Sequence, residues 1–170
     1  MASKKDKAAA SPLKTPTDLR DNATLSVAEA LNRVLADSFA LYFKTKNFHW
    51  HVSGPHFRDY HLLFDEQATE ILATTDLIAE RARKTGNVTL RSIGDVSRHQ
   101  TIRDNDAAFV NPKDMLDELR DDNLSLVQSL RLVRKAAAEA DDNATESLVD
   151  DWTDQAEQRA WFLFETGRGS

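Results

Sequence analysis

The sequence predicts an all-α protein, a four-helix bundle with one long connection between its second and third helices. Apolar residues recur with the 3.6-residue period of a helix along four long segments, and we find no convincing two-residue alternation typical of a strand. Glycine, proline and asparagine lie between those segments, where turns are expected. A chain of 170 residues that is 41% hydrophobic is the right size for a single domain with its own core.

The first helix is predicted to begin at a capping box, with Ser26 at the N-cap and Glu29 three residues later. It continues to about Phe48. The residues Ser-Gly-Pro at 53–55 interrupt it, and Pro55 is expected in the first turn of the next helix. The predicted core positions of the first helix are Leu31, Val34, Leu35, Phe39 and Tyr42.

The second helix is predicted from about His56 to Lys84, with Gly86 as a left-handed cap after it. Residues 87–112 form an irregular or short-helical connection. The third and fourth helices are expected over about 113–140 and 143–165. The predicted core positions of these three helices are Leu63, Phe64, Ile71, Leu72, Ile78, Met115, Leu116, Leu119, Leu126, Leu130, Val133, Leu148, Trp152, Ala156, Trp161 and Phe162.

Four long helices with this connection describe a ferritin-like bundle. The usual di-iron members of that class hold their metals inside one chain with a Glu-x-x-His motif. No glutamate stands three residues before any of the five histidines here. We therefore expect no di-iron site of that kind within one chain.

Five metal-ligand residue types are spaced as two helical pairs. His61 and Asp65 are four residues apart, and so are Asp76 and Glu80, so each pair lies on one helix face. The two pairs lie about 16 Å apart along the helix axis, too far for one metal ion. His49 precedes His61 by 12 residues and completes the set.

A two-fold axis near Glu70 and Ile71 would bring the two pairs together from different chains. If two copies of the second helix packed antiparallel there, the first pair of one chain would face the second pair of the other. Closed two-fold dimers are the commonest oligomers. The spacing therefore predicts a metal site shared between two subunits.

The ligand set restricts the metal. Imidazole nitrogen mixed with carboxylate oxygen suits Fe(II), Mn(II) or Zn(II) and contains too much nitrogen for calcium. The chain has no cysteine, which excludes disulfides, iron–sulfur clusters and thiolate zinc sites.

Charge is unevenly distributed along the chain. Residues 1–20 carry a net charge of +3, although the whole chain carries −6 and the remainder therefore −9. Residues 1–23 are expected to be a flexible basic arm, and its lysines are candidates for binding DNA phosphates. The alternative is a plain solubilising terminus. The candidate DNA-binding residues are Lys4, Lys5, Lys7 and Lys14.

A second charged pattern lies near the fourth helix. Asp142, Glu146 and Asp150 recur every four residues and predict an anionic stripe. Such a stripe is either an ordinary solvated face or, repeated by symmetry, the lining of a pore that attracts Fe(II).

Several residues carry a resemblance to a known family. They are Asn47-Phe48-His49-Trp50, Gly54-Pro55, Phe57, His61, Leu63-Phe64-Asp65, Asp76 and Glu80-Arg81. This pattern resembles the signature of the Dps family, the DNA-binding proteins from starved cells, over about residues 24–166. The resemblance implies a hollow homo-dodecamer with iron sites at its dimer interfaces and negatively charged three-fold pores. It also implies that Fe(II) is oxidised, preferentially by hydrogen peroxide, and stored as ferric mineral.

The resemblance also implies roles for individual residues. His49, His61 and Asp65 would come from one subunit, and Asp76 and Glu80 from its two-fold mate. Asp65 and Glu80 would hold iron most directly. Trp50, beside His49, could donate an electron to a strong oxidant, or it could simply pack in the core or an interface.

Three functions follow as expectations, in this order. The first is a ferroxidase that stores iron, the second is a nucleoid protein that compacts and protects DNA through residues 1–23, and the third is a metal-free helical scaffold. The chain has no run of about 18 apolar residues and no signal-peptide h-region, so we expect a cytoplasmic, nucleoid-associated protein. The bundle is expected over 24–166, with a short tail at 167–170.

Overall fold

The computed structural model describes residues 13–168, which form five helices and no strand. The four-helix prediction is confirmed, and the long connection contains one short helix. The helices are α1 (Asp21–His51), α2 (Phe57–Lys84), α3 (Ile93–His99), α4 (Pro112–Glu139) and α5 (Asn143–Thr166).

The predicted start of α1 is wrong. The helix begins at Asp21, and Ser26 lies inside it with its hydroxyl directed at the carbonyl of Asn22. Thr24 is buried in this extra turn, and its carbonyl accepts a hydrogen bond of 3.1 Å from the side chain of Asn87. These tertiary contacts stabilise a turn that local capping rules place outside the helix.

The described part of the predicted arm lies against the end of α2. The Arg83 guanidinium donates to the carbonyl of Leu13 at 2.6 Å. A Cβ atom at Gly86 would come within 3.0 Å of the Thr15 carbonyl, so glycine allows this close approach. Lys14 pairs with Asp21 at 3.4 Å. Residues 1–12, with three of the four candidate DNA-binding lysines, lie outside the described residues.

The ends of the other helices follow local rules with one exception. Gly86 has φ +88°, as expected for a left-handed cap. Asn111 caps α4 by accepting a hydrogen bond of 3.0 Å from the Lys113 amide. Pro55 lies before α2 rather than in its first turn, because the helix begins at Phe57 with His56 at the N-cap.

The core lies between α1, α2, α4 and α5, whose predicted apolar faces mostly point inward. Leu72, Trp161 and Phe162 are corrections, because they are 42%, 60% and 42% exposed on outward faces of α2 and α5. The largest fully buried side chains are Leu31, Leu41, Phe48, Phe64, Ile71, Ile78, Met115, Leu116, Leu119, Leu130 and Leu163.

A buried carboxylate ties the long connection to α1. Asp37, which is 1% exposed, accepts hydrogen bonds from the backbone amides of Thr101 and Ile102 and from the Thr101 hydroxyl. Three donors satisfy the carboxylate that burial would otherwise penalise. Among the described residues, no helix is long and apolar enough to cross a membrane.

Candidate metal centre

Two histidines from neighbouring helices stack beside the α1–α2 turn. His49 lies in the last turn of α1 and His61 near the start of α2. Their ring centroids are 3.8 Å apart with an angle of 20° between the planes. The Nδ1 atom of His49 hydrogen-bonds the carbonyl of His61 at 2.7 Å, and Nδ1 of His61 bonds the carbonyl of His49 at 2.9 Å.

These two hydrogen bonds fix which nitrogen of each ring donates. A carbonyl oxygen can only accept, so each Nδ1 must carry a proton and donate it. In the neutral form of each ring, the Nε2 atom is then the one with a lone pair. Metal-binding histidines are held in this way, with one nitrogen donating to a backbone carbonyl and the other free for the metal.

Asp65 lies beside the histidine pair but is already paired with a lysine. Its Oδ1 is 3.9 Å from Nε2 of His49 and 2.6 Å from Nζ of Lys46. The hydrogen bond from Lys46 is the main reason why the pKa of Asp65 lies below its usual value. A cation that binds here must therefore share or displace the Lys46 ammonium group.

The other predicted ligand pair lies farther along α2. Asp76 and Glu80 follow Asp65 by about three and four helical turns, or about 16 Å for the nearer one. Glu80 pairs with Lys84 at 3.0 Å on the exposed surface. Within one chain, residues 13–168 contain no group of three or more histidine and carboxylate side chains placed to hold a metal ion. The fold thus brings the two histidines and Asp65 together and leaves Asp76 and Glu80 apart.

Comparison with known proteins adds a second line of evidence. The ferritin-like domain family matches residues 28–166. A DNA protection during starvation protein from Brevibacillus brevis is 33% identical over 137 residues, which cover 81% of this chain and 91% of the relative.

The chain belongs to the Dps family.

Solved structures agree with this assignment. A Dps protein from Bacillus brevis superimposes with a TM-score of 0.82 at 31% identity, over 86% of this chain and 98% of that one. DpsC from Streptomyces coelicolor superimposes with a TM-score of 0.88 at 26% identity, over 92% of each chain. The all-α, ferritin-like fold predicted from the sequence is therefore confirmed.

In this Dps-family chain, Trp50 lies on the surface beside the histidine pair. Its side chain is 56% exposed, so packing in the core of its own subunit is excluded. Its ring meets Phe43 edge-on at 6.0 Å, and Nζ of Lys46 is 5.9 Å from the ring centroid. Electron donation and packing against a second subunit remain the two alternatives.

Lys46 is the site residue that the sequence reasoning missed. It precedes His49 by three residues and Trp50 by four, a spacing that places all three on one face of α1. A search for ligands passes over lysine because a protonated amine cannot bind a metal ion. A search for cations beside the ligands would have found it.

Asp142, the first residue of the predicted anionic stripe, does not lie on the surface. Asp142 is 2% exposed, caps α5 by accepting from the Thr145 amide at 3.0 Å, and pairs with Arg81 at 2.6 Å. It is turned away from solvent and cannot line an open channel in this position. Glu146 and Asp150 both pair with Arg134, which offsets part of their charge.

Proposed function

We propose that this protein oxidises Fe(II) at sites shared by two-fold related subunits and stores the ferric product inside a cage of twelve subunits. The observation that carries the proposal is the histidine pair, in which both Nδ1 atoms bond backbone carbonyls and Nε2 of His49 lies 3.9 Å from Asp65. The chain holds half of a ligand set there and the other half at Asp76 and Glu80. Fe(II) is therefore the proposed substrate.

The surface of α2 supports a contact between two copies. Leu62, Leu72 and Leu77 are 40%, 42% and 47% exposed along this helix. Exposed apolar side chains on one helix favour a contact with another protein surface. Leu72 lies next to the midpoint between the two ligand pairs, where the two-fold axis is expected, so burial of these leucines would hold α2 against its mate.

The ligand chemistry supports iron oxidation. Carboxylates favour Fe(III) over Fe(II) because they stabilise the higher charge, whereas neutral imidazoles bind without adding charge. Two Fe(II) ions each give one electron to hydrogen peroxide, which takes up two protons and leaves as two water molecules. Using both electrons together avoids the release of hydroxyl radical, so we propose hydrogen peroxide as the preferred oxidant.

The test is anaerobic loading with Fe(II) followed by hydrogen peroxide or oxygen, monitored by ferric absorbance. We compare the wild type with Asp65→Asn/Glu80→Gln. The matched control is Asp59→Asn/Glu66→Gln, two exposed carboxylates of the same helix. Rapid oxidation by peroxide that is lost in the ligand variant and kept in the control supports the proposal. Equal, slow oxidation in all three assembled proteins would contradict it.

DNA protection is the second candidate function. The relative from Brevibacillus brevis is named for DNA protection during starvation, and residues 1–20 of this chain carry a net charge of +3. The remainder carries −9 and would repel DNA, so the basic residues must make the contact. Twelve copies on one particle would multiply a weak contact. This function implies a cytoplasmic protein that associates with the nucleoid.

The structure allows a smaller and more specific deletion than removal of the whole predicted arm. Deleting residues 1–12 removes Lys4, Lys5 and Lys7 but keeps residues 13–20, which contact α2. We expect loss of gel retardation at low salt with unchanged iron oxidation. Replacing the three lysines with glutamine is the control for charge alone. Unchanged retardation in both variants would rule out this role for the lysines.

A further inference from the structure

Buried polar side chains hold the last turns of α1 against α4 and the connection that follows α3. Lys44 is 5% exposed, and its Nζ atom pairs with Glu118 at 2.8 Å and with Asp122 at 2.7 Å, both on α4. In the connection, Asn105 donates a hydrogen bond of 2.8 Å from Nδ2 to the Glu118 carboxylate. The backbone carbonyl of Asn105 accepts a hydrogen bond of 3.2 Å from Nδ2 of Asn47. This polar network therefore ties neighbouring turns of α1 to both elements at once.

The polar network lies on nearly the opposite face of α1 from the candidate metal ligand. Successive residues of a helix are about 100° apart around its axis. Lys44 and Asn47 therefore share one face, and Lys46 and His49 share another that is turned by roughly 160°. The second face meets α2, where His49 stacks on His61. The end of α1 is thus held between the polar network on one side and the histidine pair on the other.

The ionic part of the network is better suited to fixing position than to adding stability. The desolvation of a buried ion pair can outweigh its Coulomb energy, and the best-attested use of such a pair is to set the register of packed helices. Burial raises the pKa of Asp122 above its usual value, although the hydrogen bond from Lys44 acts in the opposite direction. The charged form of Asp122 therefore has a net cost even beside its partner, which favours alignment of α1 with α4 as the role of the pair.

We infer that Lys44, Asn47 and Asn105 position the metal ligand on the other face of α1. They fix the rotation of the helix end about its axis and thereby the place of the His49 Nε2 atom. A rotation of about 10° would move an atom at the helix surface, about 6 Å from the axis, by about 1 Å. Binding sites need their ligands held within about 0.5 Å. The inference rests on the proposed function, in which His49 binds iron, and it assigns a role to Asn47, which belongs to the same short sequence pattern.

Two variants loosen the network without removing a proposed ligand. N47A removes the hydrogen bond from α1 to the connection. K44M/D122L replaces the ion pair with apolar side chains, an exchange that buried ion pairs commonly tolerate without loss of the fold. The matched control is D37N, because Asp37 ties the same connection to α1 about three turns before the ligand.

Co(II) is the probe, because it accepts nitrogen and oxygen ligands and its visible absorption bands depend on coordination geometry. In assembled protein we expect N47A and K44M/D122L to shift these bands and to raise the dissociation constant of Co(II) about tenfold. D37N is expected to lower stability against denaturant. It should keep the wild-type bands and a dissociation constant within about twofold of the wild type, since distant sites act independently.

Wild-type bands and affinity in both N47A and K44M/D122L, under conditions in which H61Q weakens binding, would overturn the inference and leave the shared metal site standing. Equal changes in D37N would also overturn it, because they would reflect a general loss of stability. A wild-type protein that binds no Co(II) would instead overturn the proposed function, and this inference with it.

Discussion

His49 and His61 hold each other's imidazole rings by exchanged hydrogen bonds, each Nδ1 atom bonding the backbone carbonyl of the other residue at 2.7 and 2.9 Å. The pairing joins the end of α1 to the start of α2 and leaves both Nε2 atoms free. One pair of contacts therefore sets the helix turn and orients the two histidines that we propose as metal ligands.

Replacing His61 with glutamine should weaken binding of Co(II), a probe for nitrogen and oxygen ligands, by about tenfold or more. The variant loses the Nε2 ligand and the stacking partner of His49. Isothermal titration of the assembled protein measures the change. His51→Gln is the control, because His51 is exposed and its Nδ1 bonds the carbonyl of Asn47. Equal losses in the two variants would contradict the assignment of His61.

Replacing Lys46 with methionine should raise the pKa of Asp65 towards its usual value, because the hydrogen bond from Lys46 is the main cause of the lowered pKa. A lowered carboxyl pKa adds stability above the unfolded pKa, and that stability is lost as the pH falls through the folded pKa. Asp65 is half exposed, so the effect on stability is small. Carbon-13 NMR of the Asp65 carboxyl against pH measures the shift, and an unchanged titration would refute this role of Lys46.

Replacing Asp142 with alanine should destabilise the subunit by about 3–5 kcal/mol, because Arg81 loses its buried partner. Burial alone would raise the pKa of Asp142, but the hydrogen bonds from Arg81 and Thr145 outweigh it and lower the pKa. The loss of stability in the variant should therefore be greatest above the unfolded pKa of Asp142, and it should shrink as the pH falls through the folded pKa.

Chemical denaturation at several pH values measures this difference. Asp141→Asn is the control, since Asp141 is exposed, with φ 57°, and pairs with Arg20 only at 3.7 Å. We expect it to change stability by less than about 1 kcal/mol. A comparable loss in both variants would show that the buried pair has no special role.

Replacing Glu146 and Asp150 with their amides should slow Fe(II) uptake if these two carboxylates line an entry pore. Arg134 offsets their charge, so Arg134→Gln should have the opposite effect and speed uptake. Stopped-flow absorbance at low Fe(II) measures both rates. Glu157→Gln, which removes a similar exposed partner of Arg131, is the control. Uptake rates that are the same in all variants would exclude the pore role.

The periodicity of apolar residues predicted the four long helices because each helix buries one face along its whole length. The start of α1 escaped prediction because Ser26 and Glu29 satisfy a local capping rule, whereas Thr24 is buried by contacts with Asn87, 63 residues away. Such a contact leaves no periodic signal in the sequence.

The candidate ligands could be grouped in pairs from the sequence, since spacing along one helix determines which side chains share a face. The burial of the Asp142 side chain was not predictable. An acidic residue at a four-residue spacing looks the same in the sequence whether it faces solvent or Arg81, 61 residues away. Lys46 was missed because a search for metal ligands passes over lysine. Its spacing on α1 places it beside His49, but its pairing with Asp65 joins two helices and is not encoded within either one.

A shared site makes a prediction about mixed particles that a site within one chain does not. Asp65→Asn and Glu80→Gln chains are each prepared alone and coexpressed in equal amounts, and peroxide-driven Fe(II) oxidation is measured on assembled protein. Each variant alone should be inactive. Random pairing should restore about a quarter of the wild-type sites, because every unlike pair contains one intact site. Mixed particles as inactive as either variant alone would contradict a site built from two subunits.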